Sequence, residues 1–307
     1  MDTAEPLGEV VATVIAGEGA KLSPADLKRF AQQAEKAGAK DVHTSWLAKG
    51  VAADILGRGI GIDTLRGALS GAIGTASLDV IVQPEATRRK KLLLADMEST
   101  VIEQELLDEL AAIVGIGDKV IEITRRAMNG ELDFAAALRE RVALLKGHPA
   151  KILDEAAKEI TFMPGAAALV ATMKAHGAQT WLVTGGFSYF ARPVAVKLGF
   201  DRSHANELVV RDGMITGVVA EPILDRNGKK VLLAKACMDL NLSPADCLAV
   251  GDGANDVPML EACNKSGGLG VAFCAKPKVR AAVPNQINYG DLTALLYAQG
   301  YSEADFS

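Results

Sequence analysis

The amino-acid sequence predicts an α/β protein in which a doubly wound parallel sheet carries an inserted helical cap and follows a smaller α+β domain. Short apolar strands separated by helices, typical of a parallel sheet covered on both faces, occur from residue 92 onward. Four successive helical patterns between about residues 105 and 160 predict the cap. Six elements in the order βαββαβ predict the smaller domain. We therefore divide the chain into residues 1–86 and 87–307.

The composition fits a globular protein that binds neither nucleic acid nor a membrane. The 307 residues are 49% hydrophobic and 23% charged, and the formal net charge is −5, which disfavours binding to a polyanion. No apolar run approaches the roughly 18 residues that span a bilayer. The first residues lack the basic segment of a secretory signal, and the four cysteines match no zinc pattern. We expect a cytoplasmic protein with reduced, buried thiols.

The first 86 residues alternate between strands and helices. The β-branched run at 10–16 predicts a strand, and Ser23 and Pro24 predict a helix start as N-cap and first helical residue. Further patterns predict strands at 42–47, 51–56 and 78–82 and a second helix from residue 62. The resulting order is the ferredoxin-like arrangement. A polar, basic segment at 84–91 then marks a natural boundary.

Three apolar strands of the second part each lead into a polar or glycine-rich segment. They lie at 92–94, 180–183 and 247–250. Since ligands bind at the carboxyl ends of strands in open α/β sheets, these segments can converge on one crevice. Helical patterns at 105–114, 119–129, 134–145 and 150–159 interrupt the alternation as a cap. Asp212-Gly213 between apolar runs predicts a β-hairpin.

Two pairs of acidic residues give the strongest chemical signal. Asp96 and Glu98 follow the first of these strands, and Asp252 and Asp256 follow the last, among glycines. Carboxylates held so close together repel one another and favour a bound cation. Oxygen ligands of this kind suit Mg²⁺. Either pair alone could simply cap a helix, but both together predict a magnesium site.

Two weaker signals accompany the carboxylates. Thr184-Gly185-Gly186 offers a hydroxyl and backbone amides that can hold a phosphate, although alone it reads as an ordinary turn. Lys229, taken alone, reads as a solvated lysine. A nucleotide P-loop is excluded because Ile223 and Lys230 stand where that motif needs Gly and Ser or Thr.

Taken together and in this order, the four segments resemble the haloacid dehalogenase (HAD) superfamily and, within it, the phosphoserine phosphatase family. The closer resemblance is carried by the sequence at 95–105, 139–145, 251–256 and 273–277. It extends over about residues 90–300. The N-terminal part is similar to the ACT-like extension of many bacterial members, with a less specific match.

The resemblance implies a Mg²⁺-dependent phosphomonoesterase that cleaves O-phospho-L-serine, the last step of serine biosynthesis. Asp96 would be the nucleophile and form an aspartyl-phosphate, and Glu98 would be the general acid and base. Mg²⁺ would be held by Asp96, the backbone carbonyl of Glu98 and Asp252. Asp256 would bind it through water or orient Asp252, and Lys229 would supply positive charge.

The resemblance also implies which residues bind the phosphorylated amino acid. Glu105 would bind its ammonium group, and Arg141 would grip its carboxylate. Apolar lid residues and phosphate-binding residues complete the implied set: Met128, Phe134, Thr184, Gly185 and Asn255.

Two departures from the family pattern keep alternatives open. Glu98 stands where the family usually has Asp, and Thr184 stands where it usually has Ser. One alternative is a HAD phosphatase or phosphotransferase for another small phosphorylated amino acid or alcohol. A second is a catalytically weak homologue that senses an amino acid. ACT-like domains often pair edge to edge, so a homodimer is also open.

Overall fold

The structure, a computed structural model, describes residues 8–128 and 131–307; the side chain of Met128 is also outside the described part. The N-terminal elements follow the predicted order: β1 (Val10–Ala16), α1 (Pro24–Lys36), β2 (Lys40–Ala48), β3 (Ala52–Arg58), α2 (Ile62–Ile73) and β4 (Leu78–Pro84). The strands form an antiparallel sheet in the order β2-β3-β1-β4. Ser23 caps α1 as predicted, in a capping box with Asp26.

Strand β1 is buried on both faces of this sheet. Val10, Ala12 and Val14 pack in a core with α1 and α2. Ile15, on the opposite face, packs in the core of the second part of the chain. Because side chains alternate along a strand, this one apolar run joins two cores. The N-terminal sheet is therefore packed between its own helices and the rest of the molecule.

The second part begins with β5 (Leu92–Ala95), α3 (Leu106–Ile113), α4 (Gly117–Met128), α5 (Phe134–Ala143), α6 (Lys151–Lys158), α7 (Ala166–Ala175), β6 (Gln179–Phe187) and α8 (Ser188–Leu198). It continues with β7 (Arg202–Asn206), β8 (Leu208–Arg211), β9 (Met214–Val219), α9 (Arg226–Leu240), β10 (Cys247–Gly251), α10 (Val257–Lys265), β11 (Leu269–Phe273), α11 (Pro277–Ala282), β12 (Asn285–Ile287) and α12 (Ala294–Ala298). Six of these strands form the predicted parallel sheet, in the order β12-β11-β10-β5-β6-β7.

Both faces of the parallel sheet are covered by helices, as the apolar strands predicted. Leu93 and Ala95 of β5 pack in the core that contains α7 and α8. Leu92 and Leu94, which point the other way, pack in the core that contains α9 and α10. The two faces thus bury separate sets of side chains, which is the doubly wound arrangement.

Helices α3 to α6 form the predicted cap, inserted between β5 and β6. The predicted hairpin is also present as β8 and β9, with Asp212 and Gly213 at positive φ in the turn. It contacts the end of the cap, because the backbone of Ile215 pairs with Gly147 and His148 at 2.9 Å. The hairpin therefore supports the cap from the side of the parallel sheet.

Buried polar contacts join the N-terminal sheet to the second part. Asp79 of β4 accepts hydrogen bonds from three successive backbone amides, those of residues 288–290, at 2.8–3.0 Å. Arg88 donates to Asp54 of β3 at 2.8 and 3.0 Å. It also reaches the carbonyl of Tyr297 in α12, at 3.3 Å. These bonds fix the orientation of the N-terminal sheet against α12 and the segment after β12.

Two expectations differ from the structure. Thr184 to Gly186 do not form a turn after β6 but continue it in extended conformation, with a register shift against β7 after Val183. Asn206 of β7 binds the Gly185 carbonyl at 2.8 Å and supports this path. Cys274 is exposed, whereas the other three cysteines are free and buried as expected. Among the described residues, no helix has the length and apolar character needed to cross a membrane.

Candidate active site

Neighbouring strands of the parallel sheet bring polar residues to one edge. Asp96 follows β5, Asp252 follows β10, and Thr184 lies in the last part of β6, three strands that are adjacent in the sheet. Because parallel strands end at the same edge, their side chains meet there. Together with residues of the cap they line a cavity of about 140 Å³.

A buried carboxylate cluster lies at the bottom of the site. Oxygens of Asp96, Asp252 and Asp256 lie within 4.8 Å of one another. Lys229 places its Nζ 2.7 Å from Asp96 Oδ1 and 2.6 Å from Asp256 Oδ1. The interpretation of Lys229 as a solvated lysine is wrong, because the residue is 0% exposed. Its position in the first turns of α9 directs it inward, below the cluster.

The backbone fixes two of these carboxylates in place. The Met97 amide donates to Asp96 Oδ1 at 2.8 Å. The Gly253 amide donates to Asp256 Oδ2 at 3.0 Å, so both oxygens of Asp256 are engaged. The Met97 amide and Lys229 both lie against Asp96 Oδ1, which leaves Asp96 Oδ2 for a further partner.

The charge of the cluster fits a divalent cation. Three carboxylates and one ammonium leave two negative charges uncompensated. Burial, and then the neighbouring Asp256, raise the pKa of Asp252 to about 7 and raise the pKa of Asp96 well above its ordinary value. Burial lowers the pKa of Lys229, but Asp256 and Asp96 outweigh it and hold the pKa above the ordinary value. A divalent cation bound by oxygen ligands would neutralise this cluster.

Thr184 and Gly185 form the opposite wall. The Thr184 hydroxyl accepts a hydrogen bond from the Gly186 amide at 2.8 Å, so its own proton is available to an anion. Phe134 of the cap lies directly on this wall. A Cβ added at Gly185 would be 2.8 Å from the end of the Phe134 ring. The cap thus contacts the wall that the sequence assigned to phosphate binding.

Glu98 lies between the carboxylate cluster and the cap. Its Oε1 accepts a hydrogen bond from the Leu106 amide at 2.9 Å, at the start of α3. Its other oxygen rests against Gly186, where an added Cβ would be 2.6 Å from Oε2. Burial, and then the nearby Glu105, raise the pKa of Glu98 to about 7. A carboxyl group with that pKa can give and take a proton near neutral pH.

Two charged residues of the cavity lining are suited to binding an amino acid. Glu105 is exposed, and its Oε1 accepts a hydrogen bond from the Ser99 hydroxyl at 2.9 Å. Arg141 projects from α5 and donates through Nε to the Ala137 carbonyl at 3.4 Å. A carboxylate and a guanidinium in one cavity can hold the ammonium and carboxylate of an amino acid.

The structure brings most of the predicted site residues together. Those that line the cavity are Asp96, Glu98, Glu105, Phe134, Arg141, Thr184, Gly185, Asp252 and Asn255. Lys229 and Asp256 lie directly below, in the carboxylate cluster. The side chain of Met128 lies outside the described residues.

Sequence reasoning left seven further cavity residues out of the predicted site: Leu107, Asp108, Leu138, Gly186, Phe187, Gly253 and Lys276. Lys276 lies in the segment 273–277, which contributes to the family resemblance, but the resemblance implies no role for this residue. The signal was present, because this segment follows β11, the neighbour of β10, and so ends at the same edge of the sheet.

We expect Gly186→Ala to lower kcat/KM about 10²-fold, because the new methyl displaces the Glu98 carboxyl group. Adding Glu98→Asp should recover much of this loss, since the shorter side chain leaves room for the methyl. Gly71→Ala is the matched control, because nothing lies within 4 Å of a Cβ there. Steady-state kinetics of the four proteins measure the effect. Wild-type kcat/KM in Gly186→Ala alone would show that Gly186 does not position Glu98.

The model of the haloacid dehalogenase-like hydrolases matches residues 93–261. The chain belongs to this family. It is 44% identical over 207 residues to the phosphoserine phosphatase of Lactococcus lactis subsp. lactis, covering 67% of this chain and 94% of the relative. It is 40% identical over 220 residues to that of Archaeoglobus fulgidus, covering 71% of this chain and 63% of the relative.

A solved structure extends the similarity to the N-terminal part. The haloacid dehalogenase family hydrolase from Salmonella enterica subsp. enterica serovar Typhi superposes with a TM-score of 0.81 and 27% identity, covering 94% of this chain and 98% of that one. The residues that the family model matches run from β5 into α10 and include the cap. The N-terminal antiparallel sheet of β1 to β4 lies before the residues that the family model matches.

Proposed function

We propose that this hydrolase cleaves O-phospho-L-serine to L-serine and phosphate in a Mg²⁺-dependent reaction. One observation carries the proposal: a single cavity joins a phosphate-binding end to an amino-acid-binding end. The first end has the carboxylate cluster with Lys229 and Thr184, and the second has Glu105 and Arg141. The relatives named phosphoserine phosphatase support this substrate.

We assign the Mg²⁺ ligands to Asp96, Asp252 and the backbone carbonyl of Glu98. Asp256 acts from below, through water or by orienting Asp252, because Lys229 and Gly253 engage both of its oxygens. When bound, the ion would neutralise the anionic phosphoryl group and orient it.

In the first step Asp96 attacks phosphorus, and the bond from phosphorus to the serine oxygen breaks. The attacking atom is a carboxylate oxygen of Asp96, and Lys229 and the Met97 amide hold this carboxylate in place through Oδ1. Glu98 donates its proton to the departing oxygen. Lys229, Thr184 and the Gly185 amide stabilise the charge on the phosphoryl oxygens.

In the second step Glu98 takes a proton from water. The hydroxide attacks phosphorus, the bond to Asp96 breaks, and the free carboxylate returns. Phe134 closes the cap on the phosphate wall and limits competing water, while Asn255 adds a polar contact to the phosphate.

The direct test is phosphate release from L-phosphoserine, measured with Mg²⁺ and with EDTA. We expect release that requires Mg²⁺. If p-nitrophenyl phosphate is hydrolysed and L-phosphoserine is not, the enzyme acts on another phosphomonoester. If neither is hydrolysed, Glu98 and Thr184 have disabled the site, and an amino-acid sensor becomes the better interpretation.

We expect kcat/KM to fall above pH about 7, because Glu98 must be protonated to serve the leaving oxygen and loses its proton there. Glu98→Gln should lower kcat/KM about 10²- to 10⁴-fold, since an amide cannot transfer a proton. The decline of kcat/KM above pH about 7 should also be absent from this variant. Glu98→Asp should remain active. Profiles between pH 5 and 9 test this, with the acid side corrected for the phosphate pKa of the substrate, about 6. An unchanged alkaline limb in Glu98→Gln would assign the proton transfer to another group.

We expect Arg141→Ala to raise the KM for L-phosphoserine about 10- to 100-fold, because a charge-assisted contact with the carboxylate is lost. The kcat/KM for p-nitrophenyl phosphate, which has no carboxylate, should change little. Arg139→Ala is the matched control, since Arg139 is on the same helix and pairs with Glu221 at 2.6 Å. Equal losses on both substrates would contradict the role of Arg141 in carboxylate binding.

We also propose that residues 1–86 form an ACT-like domain of ferredoxin-like fold and that residues 87–307 form the phosphatase domain. The order β2-β3-β1-β4 and the βαββαβ sequence of elements support this. Strand β2 is an edge of the sheet with many exposed side chains, so it remains a candidate for pairing between two copies. Light scattering of the full chain distinguishes monomer from homodimer.

A further inference from the structure

Lys276 lies at the mouth of the active-site cavity, between two carboxylates. Its Nζ is 4.0 Å from Glu105 Oε1 and 3.9 Å from Asp252 Oδ2. The family resemblance gave this residue no role. Its side chain, unlike that of Lys229, is 58% exposed. It is therefore a cation at the cavity rim that is close to two anions without a hydrogen bond to either.

The backbone of Lys276 is hydrogen-bonded to the rest of the site, whereas its side chain is largely exposed. The Lys276 amide donates to the Asp252 carbonyl at 3.4 Å. Two residues earlier, Cys274 donates to the Ile287 carbonyl at 2.7 Å. Lys276 then caps the start of α11. The ammonium is thus tethered above the cavity on a flexible chain and can exchange partners.

The charges around the cavity explain why a cation is needed there. Among the cavity-lining residues that the structure describes, five are acidic: Asp96, Glu98, Glu105, Asp108 and Asp252. The positive charges of this lining come from Arg141 and Lys276. Glu105 also raises the pKa of Asp252, whereas Lys276 lowers it. Lys276 therefore lies close to two like charges of the cavity, Glu105 and Asp252, and offsets both.

We propose that Lys276 is a specificity-determining residue that occupies the ammonium subsite at Glu105 in the free enzyme. This rests on the proposed function, in which Glu105 binds the ammonium of the substrate. The Lys276 ammonium is an internal competitor for that carboxylate. A substrate with an amino group displaces it, and a substrate without one leaves it in place. Lys276 thereby lowers the advantage of amino-bearing phosphomonoesters over those that lack the amino group.

The test compares L-phosphoserine with 3-phosphonooxypropanoate, which keeps the phosphate and carboxylate and lacks the amine. In Lys276→Met the kcat/KM for L-phosphoserine divided by that for 3-phosphonooxypropanoate should rise about two- to fivefold. This is the factor that corresponds to the free energy of an exposed ion pair. Taking the ratio cancels any general loss of attraction for anions. Lys276→Arg should keep the wild-type ratio. Lys278→Met, which removes the same charge from a nearby exposed position of α11, should leave the ratio unchanged.

A binding measurement separates positioning from catalysis. The inhibition constant of L-serine should tighten about two- to fivefold in Lys276→Met, and that of inorganic phosphate should not tighten. The shift in the ratio should disappear when Lys276→Met is placed in a Glu105→Gln background, because the carboxylate that is competed for is gone.

Three outcomes overturn the proposal: an unchanged or lower ratio in Lys276→Met, an equal shift in Lys278→Met, or a shift that persists with Glu105→Gln. An equal loss on both substrates leaves the ratio unchanged and would show that Lys276 attracts both anions alike instead of competing for Glu105. Failure of the proposed function is distinguished by the wild-type enzyme, which would then release no phosphate from L-phosphoserine.

Discussion

Asp96→Asn is expected to reduce phosphate release from L-phosphoserine by at least about 10⁴-fold, since a nucleophile has no substitute in its reaction. The amide keeps the shape of the side chain but is not an anion, so it cannot form the bond to phosphorus. Lys229 would retain its contact with Asp256, 2.6 Å away. The variant should therefore fold, and the loss should lie in kcat. Continuous phosphate detection under saturating substrate measures it.

Two controls accompany this variant. The melting temperature without metal shows whether the buried cluster still folds. An acid quench of the wild-type enzyme with ³²P-labelled substrate should trap phosphate on the protein, and the same quench of Asp96→Asn should trap none. Turnover within tenfold of wild type in a protein with freshly verified sequence would move the nucleophile to another residue.

Lys229→Met is expected to lower both activity and stability. The change removes the ammonium that lies between Asp96 and Asp256 and leaves two buried carboxylates uncompensated. Breaking a buried ion pair from one side costs about 3–5 kcal/mol in the free energy of unfolding. The phosphoryl group also loses a positive charge, so we expect a fall in kcat of about 10²- to 10³-fold.

The neighbouring residue provides a matched control for Lys229. Lys230 carries the same charge on the same helix but is exposed, so Lys230→Met should change stability and activity little. Denaturant unfolding and steady-state kinetics of the two variants give the comparison. Because Mg²⁺ would neutralise the same carboxylates, it should recover more stability in Lys229→Met than in Lys230→Met. Equal stability of the two variants would contradict the buried ion-pair cluster.

The strands and their ends could be predicted because they depend on short stretches of sequence. The strand at 10–16, the N-cap at Ser23 and the turn at Asp212-Gly213 are all present as predicted. Each follows from side-chain periodicity or from backbone preference over a few residues. The convergence of Asp96 and Asp252 followed in the same way, because parallel strands end at one edge.

The burial of Lys229 could not be predicted in this way. Its neighbours in sequence, Gly228 and Lys230, resemble an exposed helix start, and nothing local distinguishes the two lysines. What decides its position is the pair of carboxylates that β5 and the segment after β10 place beside α9. Electrostatic attraction between segments far apart in sequence then outweighs the cost of burying the ammonium.

The sequence by itself therefore determined the α/β class, the order of the elements and the residues of the carboxylate cluster. The tertiary structure alone decided how Glu98 is accommodated against Gly186 and that Lys276 faces Glu105. The physical reason is the range of the forces involved. Periodicity and capping act within a few residues, whereas steric fit and charge pairing depend on which distant segments the completed fold brings together.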